Sequence, residues 1–261
     1  MKIALFSTCI GDSLFPDAHK ATALVLSRLG HEVVFPEEQT CCGQMHFNTG
    51  YQKQSMGMIR TYADAFADPS IDYVVAASGS CVAAVRDQHV HIADRHGTAA
   101  DVDGAKKAAN KTYDLPEFLV DIAGVTNVGA FFPHRVTYHA SCHGLRFLKL
   151  KDKPYQLLSQ VEGMELVPLE NVEECCGFGG TFSLKNPEVS RAMVSDKVRH
   201  VKDTQAEYLT GGDSSCLMNI AGTLSRQRTG IRAIHLAEIL ASTKQHPWTP
   251  KSAAYSKERM L

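Results

Sequence analysis

Phe35-Pro36-Glu37-Glu38-Gln39-Thr40-Cys41-Cys42-Gly43-Gln44 leaves a short apolar run and ends on two adjacent cysteines and a glycine. The same turn returns 134 residues later as Cys175-Cys176-Gly177-Phe178-Gly179-Gly180. One cysteine precedes each pair and one follows it: Cys9 and Cys81 around the first, Cys142 and Cys216 around the second. Cys9 and Cys142 are 133 residues apart, Cys81 and Cys216 are 135 apart, and none of the eight cysteines is left over. Scattered structural thiols would not hold register within one residue at every position. The pattern reads as an internal duplication.

The flanks repeat with the cysteines. Lys2-Ile3-Ala4-Leu5-Phe6-Ser7 leads to Cys9 as Arg135-Val136-Thr137-Tyr138-His139 leads to Cys142. Ile71-Asp72-Tyr73-Val74-Val75 leads to Ser78-Gly79-Ser80-Cys81, and Ala206-Glu207-Tyr208-Leu209-Thr210 leads to Asp213-Ser214-Ser215-Cys216. Asp114-Leu115-Pro116-Glu117-Phe118-Leu119 echoes His235-Leu236-Ala237-Glu238-Ile239-Leu240 at an offset of 121, so the first repeat carries 14 extra residues. The polar, Ala/Gly-rich stretch from Arg95 to Asn110 is the place for them. Two lobes are expected, at 1–127 and 128–244, with a flexible tail at 245–261.

Each lobe alternates strand and helix patterns. Ile3–Ser7, Glu32–Phe35 and Tyr73–Ala77 read as strands, and Ala18–Leu29 and Gln54–Ala67 as helices, the former stopped by Gly30. Val136–His139, Glu165–Val167 and Tyr208–Thr210 are the second set of strands; Tyr155–Val161, Glu188–Asp203 and Leu217–Arg226 are its helices. This order predicts an α/β fold of two tandem lobes, each a small parallel sheet flanked by helices, related by a pseudo-two-fold axis. The cysteines then fall at the carboxyl ends of strands, where open α/β sheets place their sites.

Composition narrows the functional classes. Of 261 residues, 27 are Lys or Arg and 28 Asp or Glu, so no basic excess supports counterion-driven nucleic-acid binding. No apolar run approaches the roughly 20 residues that a membrane-spanning helix needs. The apolar start at Met1 to Cys9 is too short for a signal peptide, and a cytoplasmic protein is expected. Neither a Walker A sequence nor G-x-S-x-G occurs. Gly177-Phe178-Gly179-Gly180 lacks the register of a dinucleotide loop.

In a reducing compartment disulfides seldom persist, and adjacent cysteines bridge only with strain. Buried free thiols would explain one or two of the residues, not two matching quartets. Four thiolates satisfy tetrahedral zinc or a cubane iron–sulfur cluster. Structural zinc usually takes Cys-x2-Cys knuckles; ligands spread over three loops suit the wider cluster better. In the Gly-rich loop, backbone N–H groups are free to approach cluster sulfurs.

These motifs resemble the duplicated cysteine-rich CCG domains found in heterodisulfide reductase (its B chain) and in the iron–sulfur subunits of glycolate oxidase and anaerobic glycerol-3-phosphate dehydrogenase. With Asn48-Thr49-Gly50-Tyr51, Thr181-Phe182 and Leu217-Met218 in order, the resemblance within that group is to the lactate utilization protein A family, from the first strand to about Leu240. It implies an iron–sulfur electron-transfer subunit of an oxidoreductase complex that converts L-lactate to pyruvate without nicotinamide. It also implies two partners, lactate utilization proteins B and C. Cys9, Cys41, Cys42 and Cys81 would hold one [4Fe–4S] cluster, and Cys142, Cys175, Cys176 and Cys216 another, with zinc as an alternative occupant. The heterodisulfide reductase form has a fifth cysteine where this chain has Ser78 and Asp213, which speaks against its non-cubane cluster. An N-cap role is expected for Asp213. A thiol–disulfide enzyme and a zinc-stabilised scaffold stay open as alternatives to the redox role.

Several neighbours of the cysteines are secondary candidates. His46, His139 and His143 are able to ligate metal or carry a proton. Arg146 would offset cluster charge or hold a carboxylate, or else lie solvated on a helix face. Met45, Phe47, Phe178 and Phe182 would form an apolar rim for a partner or shield the cluster. The sequence assigns no catalytic residue.

Overall fold

The computed structural model describes residues 1–248; of the tail expected at 245–261, all but the first four residues lie outside the described residues. The first half runs β1 (Lys2–Leu5), α1 (Cys9–Leu14), α2 (Pro16–Arg28), β2 (Glu32–Val34), α3 (Gln44–Asn48), α4 (Met56–Ala65), β3 (Tyr73–Ala76), α5 (Gly79–Ala83), α6 (His89–His96), α7 (Ala99–Lys111), β4 (Thr112–Asp114) and α8 (Leu115–Glu117). The second runs β5 (Arg135–His139), α9 (Cys142–Arg146), α10 (Lys153–Ser159), β6 (Glu165–Val167), α11 (Phe182–Lys185), α12 (Pro187–Asp203), β7 (Tyr208–Gly211), α13 (Ser214–Arg226), β8 (Arg232–His235) and α14 (Leu236–Ala241). The strands form two wholly parallel sheets of the same order, β2-β1-β3-β4 and β6-β5-β7-β8. The expected α/β architecture of two tandem lobes is what the chain adopts.

Period-two burial explains how each sheet is covered on both faces. Ile3 and Val75 face one way into a core shared by the two lobes, whereas Ala4, Val74 and Ala76 face a second core built from first-lobe residues and closed by Leu148 and Leu150 of the second lobe. In the second lobe Tyr208 and Val136 enter the shared core, and Leu209 a core of second-lobe residues. Pro16 opens α2 at its first turn, where a missing N–H costs nothing, and Gly30 follows its end with φ +82°. The buried stripe Ala18, Ala21, Thr22, Val25 and Leu26 packs α2 against α14 of the other lobe. Arg28 then donates to the Leu240 and Ala241 carbonyls at the end of α14.

The 14 extra residues of the first lobe are helical. Nearly all of them are accounted for by α7, 13 residues long, which packs on α4 and α6 and starts with a capping box between Thr98 and Asp101. The fourth strands, β4 and β8, and the short helices α1, α3 and α9 went unread in the sequence. The three helices span five or six residues, too few to show a period, and the two strands, Thr112-Tyr113-Asp114 and Arg232-Ala233-Ile234-His235, contain no apolar run.

The lobes meet pseudo-symmetrically. Helix α1 packs on α13, and its equivalent α9 packs on α5, the equivalent of α13; α2 with α14 is matched by α10 with α8. Ser78 and Asp213, equivalent positions in the repeats, form an antiparallel bridge across this interface. No helix among the described residues is long and apolar enough to cross a membrane.

Candidate metal centre

Three adjacent strands deliver each cysteine set. In the first lobe β2, β1 and β3 lie side by side, and their carboxyl ends feed the Cys41-Cys42 loop, Cys9 at the start of α1, and Cys81 in α5. β6, β5 and β7 do the same for Cys175-Cys176, Cys142 and Cys216. This is the position that parallel α/β sheets reserve for ligands. All eight cysteines are free thiols; one pair member, Cys42 or Cys176, and the trailing Cys81 or Cys216 are buried, the others half-buried.

The thiols converge. Cys9 Sγ lies 3.5 Å from Cys41 Sγ, and Cys42 hydrogen-bonds both Cys41 and Cys81. All four line one cleft, together with Phe178, Asp213, Ser214 and Ser215 from the opposite lobe. In the second lobe Cys175 hydrogen-bonds Cys142 and Cys176, and Cys176 hydrogen-bonds Cys216.

One thiolate per lobe is favoured. Hydrogen bonds from Cys42 and Cys9, and then the Gly43 N–H at 3.4 Å, hold Cys41 far below an ordinary thiol. Cys142, Cys176 and the Gly177 N–H at 3.4 Å do the same to Cys175. Cys9 and Cys42 are pushed the other way: Cys9 by its bond to Cys41 and by burial, Cys42 by its bonds to Cys41 and Cys81 and by burial. At Cys216 the bond to Cys176 pulls down, but burial with Asp213 and Cys175 raises the thiol overall. A set of clustered thiols that cannot all ionise unaided fits the donor set of a cation, and soft sulfur ligands favour zinc or iron–sulfur centres over magnesium or calcium.

The glycine of each Cys-Cys-Gly turn is required. Gly43 and Gly177 both have φ +80°, which aims the N–H back at the first sulfur of the pair, and a Cβ would lie 2.8 Å from the Phe47 ring or 2.7 Å from the Ser190 carbonyl oxygen. Outer groups hold the loops. Gln39 accepts from the Ser7 N–H at 2.7 Å and donates to the Pro36 carbonyl at 2.8 Å, tying the β1 end to the cysteine-pair loop. His19 takes the Thr8 N–H on Nε2 at 3.3 Å, which leaves Nδ1–H for Ser7 Oγ at 3.0 Å. His89 Nε2–H donates to the Cys42 carbonyl, and Asn219 Nδ2 to the Cys176 carbonyl, each at 2.8 Å. Such partners orient ligands as tightly as bonds to the ligands themselves.

Of the histidine candidates, His139 comes closest. It is 1% exposed, and a ring nitrogen lies with Cys176 Sγ and Cys216 Sγ in a group no wider than 4.8 Å. Burial and the neighbouring Lys197 hold it neutral, at about 4. His143 accepts from Gln44 Nε2 of the first lobe at 3.0 Å, so its Nδ1–H faces Cys142 Sγ at 3.6 Å. His46 and Arg146 are exposed, Arg146 on the outer face of α9. Asp213 is 2% exposed and caps α13 through the Ser215 N–H at 3.2 Å; its other oxygen takes the Ser80 N–H of α5 at 3.0 Å. The expected N-cap thus serves a helix in each lobe. Phe47 is buried in the first-lobe core edge-on to His89, a shielding position. Phe178 lines the inter-lobe cleft, Met45 abuts Gly180, and Phe182 packs against Gly179. The sequence reading missed Lys197, fully buried and donating to the Asn171 carbonyl at 2.7 Å, and Gln44. Lys197 was legible as a charged residue on the apolar stripe Val194, Val198 and Val201.

The cysteine-rich CCG domain pattern matches residues 3–86 and again 136–221. Lactate utilization protein A of Oceanobacillus iheyensis is 46% identical over 94% of this chain and 98% of its own length. The protein of the same name from Geobacillus kaustophilus is 48% identical over 92% and 98%. Among solved structures, a hypothetical protein from Helicobacter pylori superposes with a TM-score of 0.60 over 92% of this chain and 48% of its own, at 11% identity, a likeness of fold alone. With two copies of the domain and near-complete coverage of these relatives, the chain belongs to the lactate utilization protein A family of duplicated cysteine-rich CCG proteins.

Proposed function

We propose that this chain is an iron–sulfur electron-transfer subunit of a system that oxidises L-lactate to pyruvate. The observation that carries the reading is the pair of thiol quartets, each closed on itself and each delivered by three adjacent strand ends in a chain whose relatives bear the lactate utilization name. The eight residues Cys9, Cys41, Cys42, Cys81, Cys142, Cys175, Cys176 and Cys216 would hold the metal. A bound [4Fe–4S] cluster supplies storage of one electron without making or breaking a bond in the protein. The chain supplies the rest. Gly43 and Gly177 offer N–H donors to sulfur, His89 and Asn219 fix the pair loops, and Phe47 keeps water from the first quartet.

Oxidation of lactate releases two electrons and two protons. This reading assigns that bond chemistry to partners, lactate utilization proteins B and C, and the onward relay to this chain. A zinc-stabilised scaffold draws on one observation, the tight His139, Cys176 and Cys216 group. Metal analysis separates the two: protein purified anaerobically is expected to be brown, with iron and acid-labile sulfide in equal amounts. Zinc without sulfide would replace the redox reading by the scaffold. Co-expression tests the role in the system. Lactate-dependent dye reduction is expected from the three proteins together and from none of this chain alone; lactate oxidation by the isolated, cluster-loaded chain would overturn the relay.

A further inference from the structure

Aligning the repeats at their cysteines sets Phe6 opposite His139, Tyr62 opposite Lys197, and Ile10 opposite His143. The burial stripes of the two long helices support the second pairing: Ser55, Ile59, Tyr62 and Phe66 match Ser190, Val194, Lys197 and Val201. In the first lobe Phe6 and Tyr62 meet edge to face at 4.9 Å, and the Tyr62 hydroxyl is turned away to Thr112 Oγ1 at 2.9 Å. In the second lobe the same two places hold an imidazole and an ammonium. Both nitrogens of His139 are buried without a hydrogen-bond partner, a costly arrangement unless a ligand at the centre accepts from it. Lys197, held on the Asn171 carbonyl at 2.7 Å, feels the charge of Glu174 and, after it, of Cys176, Cys175 and Cys216. At the mouth, His143 points Nδ1–H at Cys142 Sγ where the first lobe has Ile10. These three exchanges each place a donor or a cation at the second centre and a hydrocarbon or aromatic ring at the first.

We propose that these exchanges make the two centres unequal, with His139, Lys197 and His143 stabilising the added electron of the second-lobe centre alone. The proposal rests on the iron–sulfur reading above and assigns it an internal order. Hydrogen bonds to sulfur and nearby positive charge favour the reduced, more anionic state and raise the potential. Phe6 and Tyr62 offer neither, and what the first centre has instead is the Gly43 N–H, which Gly177 matches in the second lobe, and the exposed His46. His139 acts as a donor and not as a ligand, because the second lobe already repeats all four thiols in the arrangement of the first. Asp213 opposes this charge, but it lines the first-lobe cleft as well and so acts on both centres. When one electron passes between the centres, the first is oxidised by one and the second reduced by one, and the electron comes to rest in the second lobe.

The test is a redox titration followed by electron paramagnetic resonance on the full chain, reconstituted anaerobically with iron and sulfide. Cys41→Ser and Cys176→Ser proteins, each with one quartet broken, assign the two signals. The Cys41→Ser protein is expected to titrate at the higher potential and the Cys176→Ser protein at the lower. His139→Phe and Lys197→Met should each shift the second-lobe signal to lower potential and leave the other in place, while His139→Gln, which keeps an N–H, should shift it less than His139→Phe. Equal potentials, the reverse order, or no shift in variants that retain their iron would overturn the proposal. Loss of second-lobe iron and sulfide from His139→Phe would overturn it too, by making His139 a ligand. Wild-type protein that takes up neither iron nor sulfide would overturn the iron–sulfur reading itself, and this one with it.

Discussion

At Cys41 two neighbouring thiols and one peptide N–H, all from its own lobe, pull the thiol far down, and at Cys175 the same arrangement is built from the other lobe's residues. Each quartet therefore draws its thiols from its own lobe. Cys41→Ser is expected to remove iron and sulfide from the first lobe while the second keeps its share, and Cys176→Ser the converse. Loss of all the iron from either single change would point to one site shared across the interface. A second residue-scale expectation concerns acid. His235 is buried at the end of β8, where burial, with His19 acting in the same direction and Asp213 against it, lowers it from 6.5 to about 4. Below pH 6.5 the unfolded chain takes a proton that the folded chain refuses. The contribution of His235 is thus complete above about pH 6.5 and lost as pH falls toward 4, an amount on the order of 3 kcal/mol across that window. Urea unfolding at pH 7 and pH 5 measures it, and His235→Gln should flatten the difference; an unchanged slope in that variant would assign the acid sensitivity to other groups.

Among the elements, α5 and α13 share one cap. Asp213 accepts the Ser215 N–H of its own helix and the Ser80 N–H of the other, whereas the Ser78 hydroxyl makes a 3.4 Å contact with Ser80 Oγ and caps neither helix. Asp213→Ala leaves two buried helix N-termini unpaired and is expected to cost about 3 kcal/mol, against well under ~1 kcal/mol for Ser78→Ala. Denaturant midpoints of equal size for the two would refute the shared cap. Helix α7 gives a milder case: Thr98→Ala breaks its capping box for about 1 kcal/mol and should leave metal content unchanged, since α7 has no counterpart in the second lobe. How far elements were legible depended on their length and on an apolar run. The long helices α2, α4 and α12 and the apolar runs of β1, β3 and β7 announced themselves by period and by β-branched content. β4 and β8 did not, because Thr112-Tyr113-Asp114 and Arg232-Ala233-Ile234-His235 are broken by polar residues and form no apolar run, although the echo between Asp114-Leu115 and His235-Leu236 marked both strand ends. The cysteines were readable because identical chemistry recurred at one spacing. His139 stood out beside Cys142, but Lys197 and Gln44 reach the second centre only through folding, and no local pattern ties either of them to it.

On the scale of the whole molecule, the largest core belongs to neither lobe. Leu26, Val75 and Leu119 from the first half and Leu157, Tyr208 and Leu240 from the second fill it together, and Trp248, the one tryptophan of the chain, packs against it. Leu26→Ala, in the first lobe, should lower stability by about 3 kcal/mol and shift unfolding seen by Trp248 fluorescence and by far-ultraviolet circular dichroism together. A fluorescence midpoint that stays put while the dichroism midpoint moves would mean that the lobes unfold separately. The Ser78–Asp213 bridge across the interface carries a consequence of its own. In a homodimer of single lobes, the residue on the two-fold axis would face its own copy, and any choice made there would be made twice. Aspartate at both places would set two buried carboxylates against each other; serine at both would leave both helix ends without a charged acceptor. Joining the halves in one chain removes that constraint, and a single carboxylate serves both sides. The covalent link is what permits the two halves to differ.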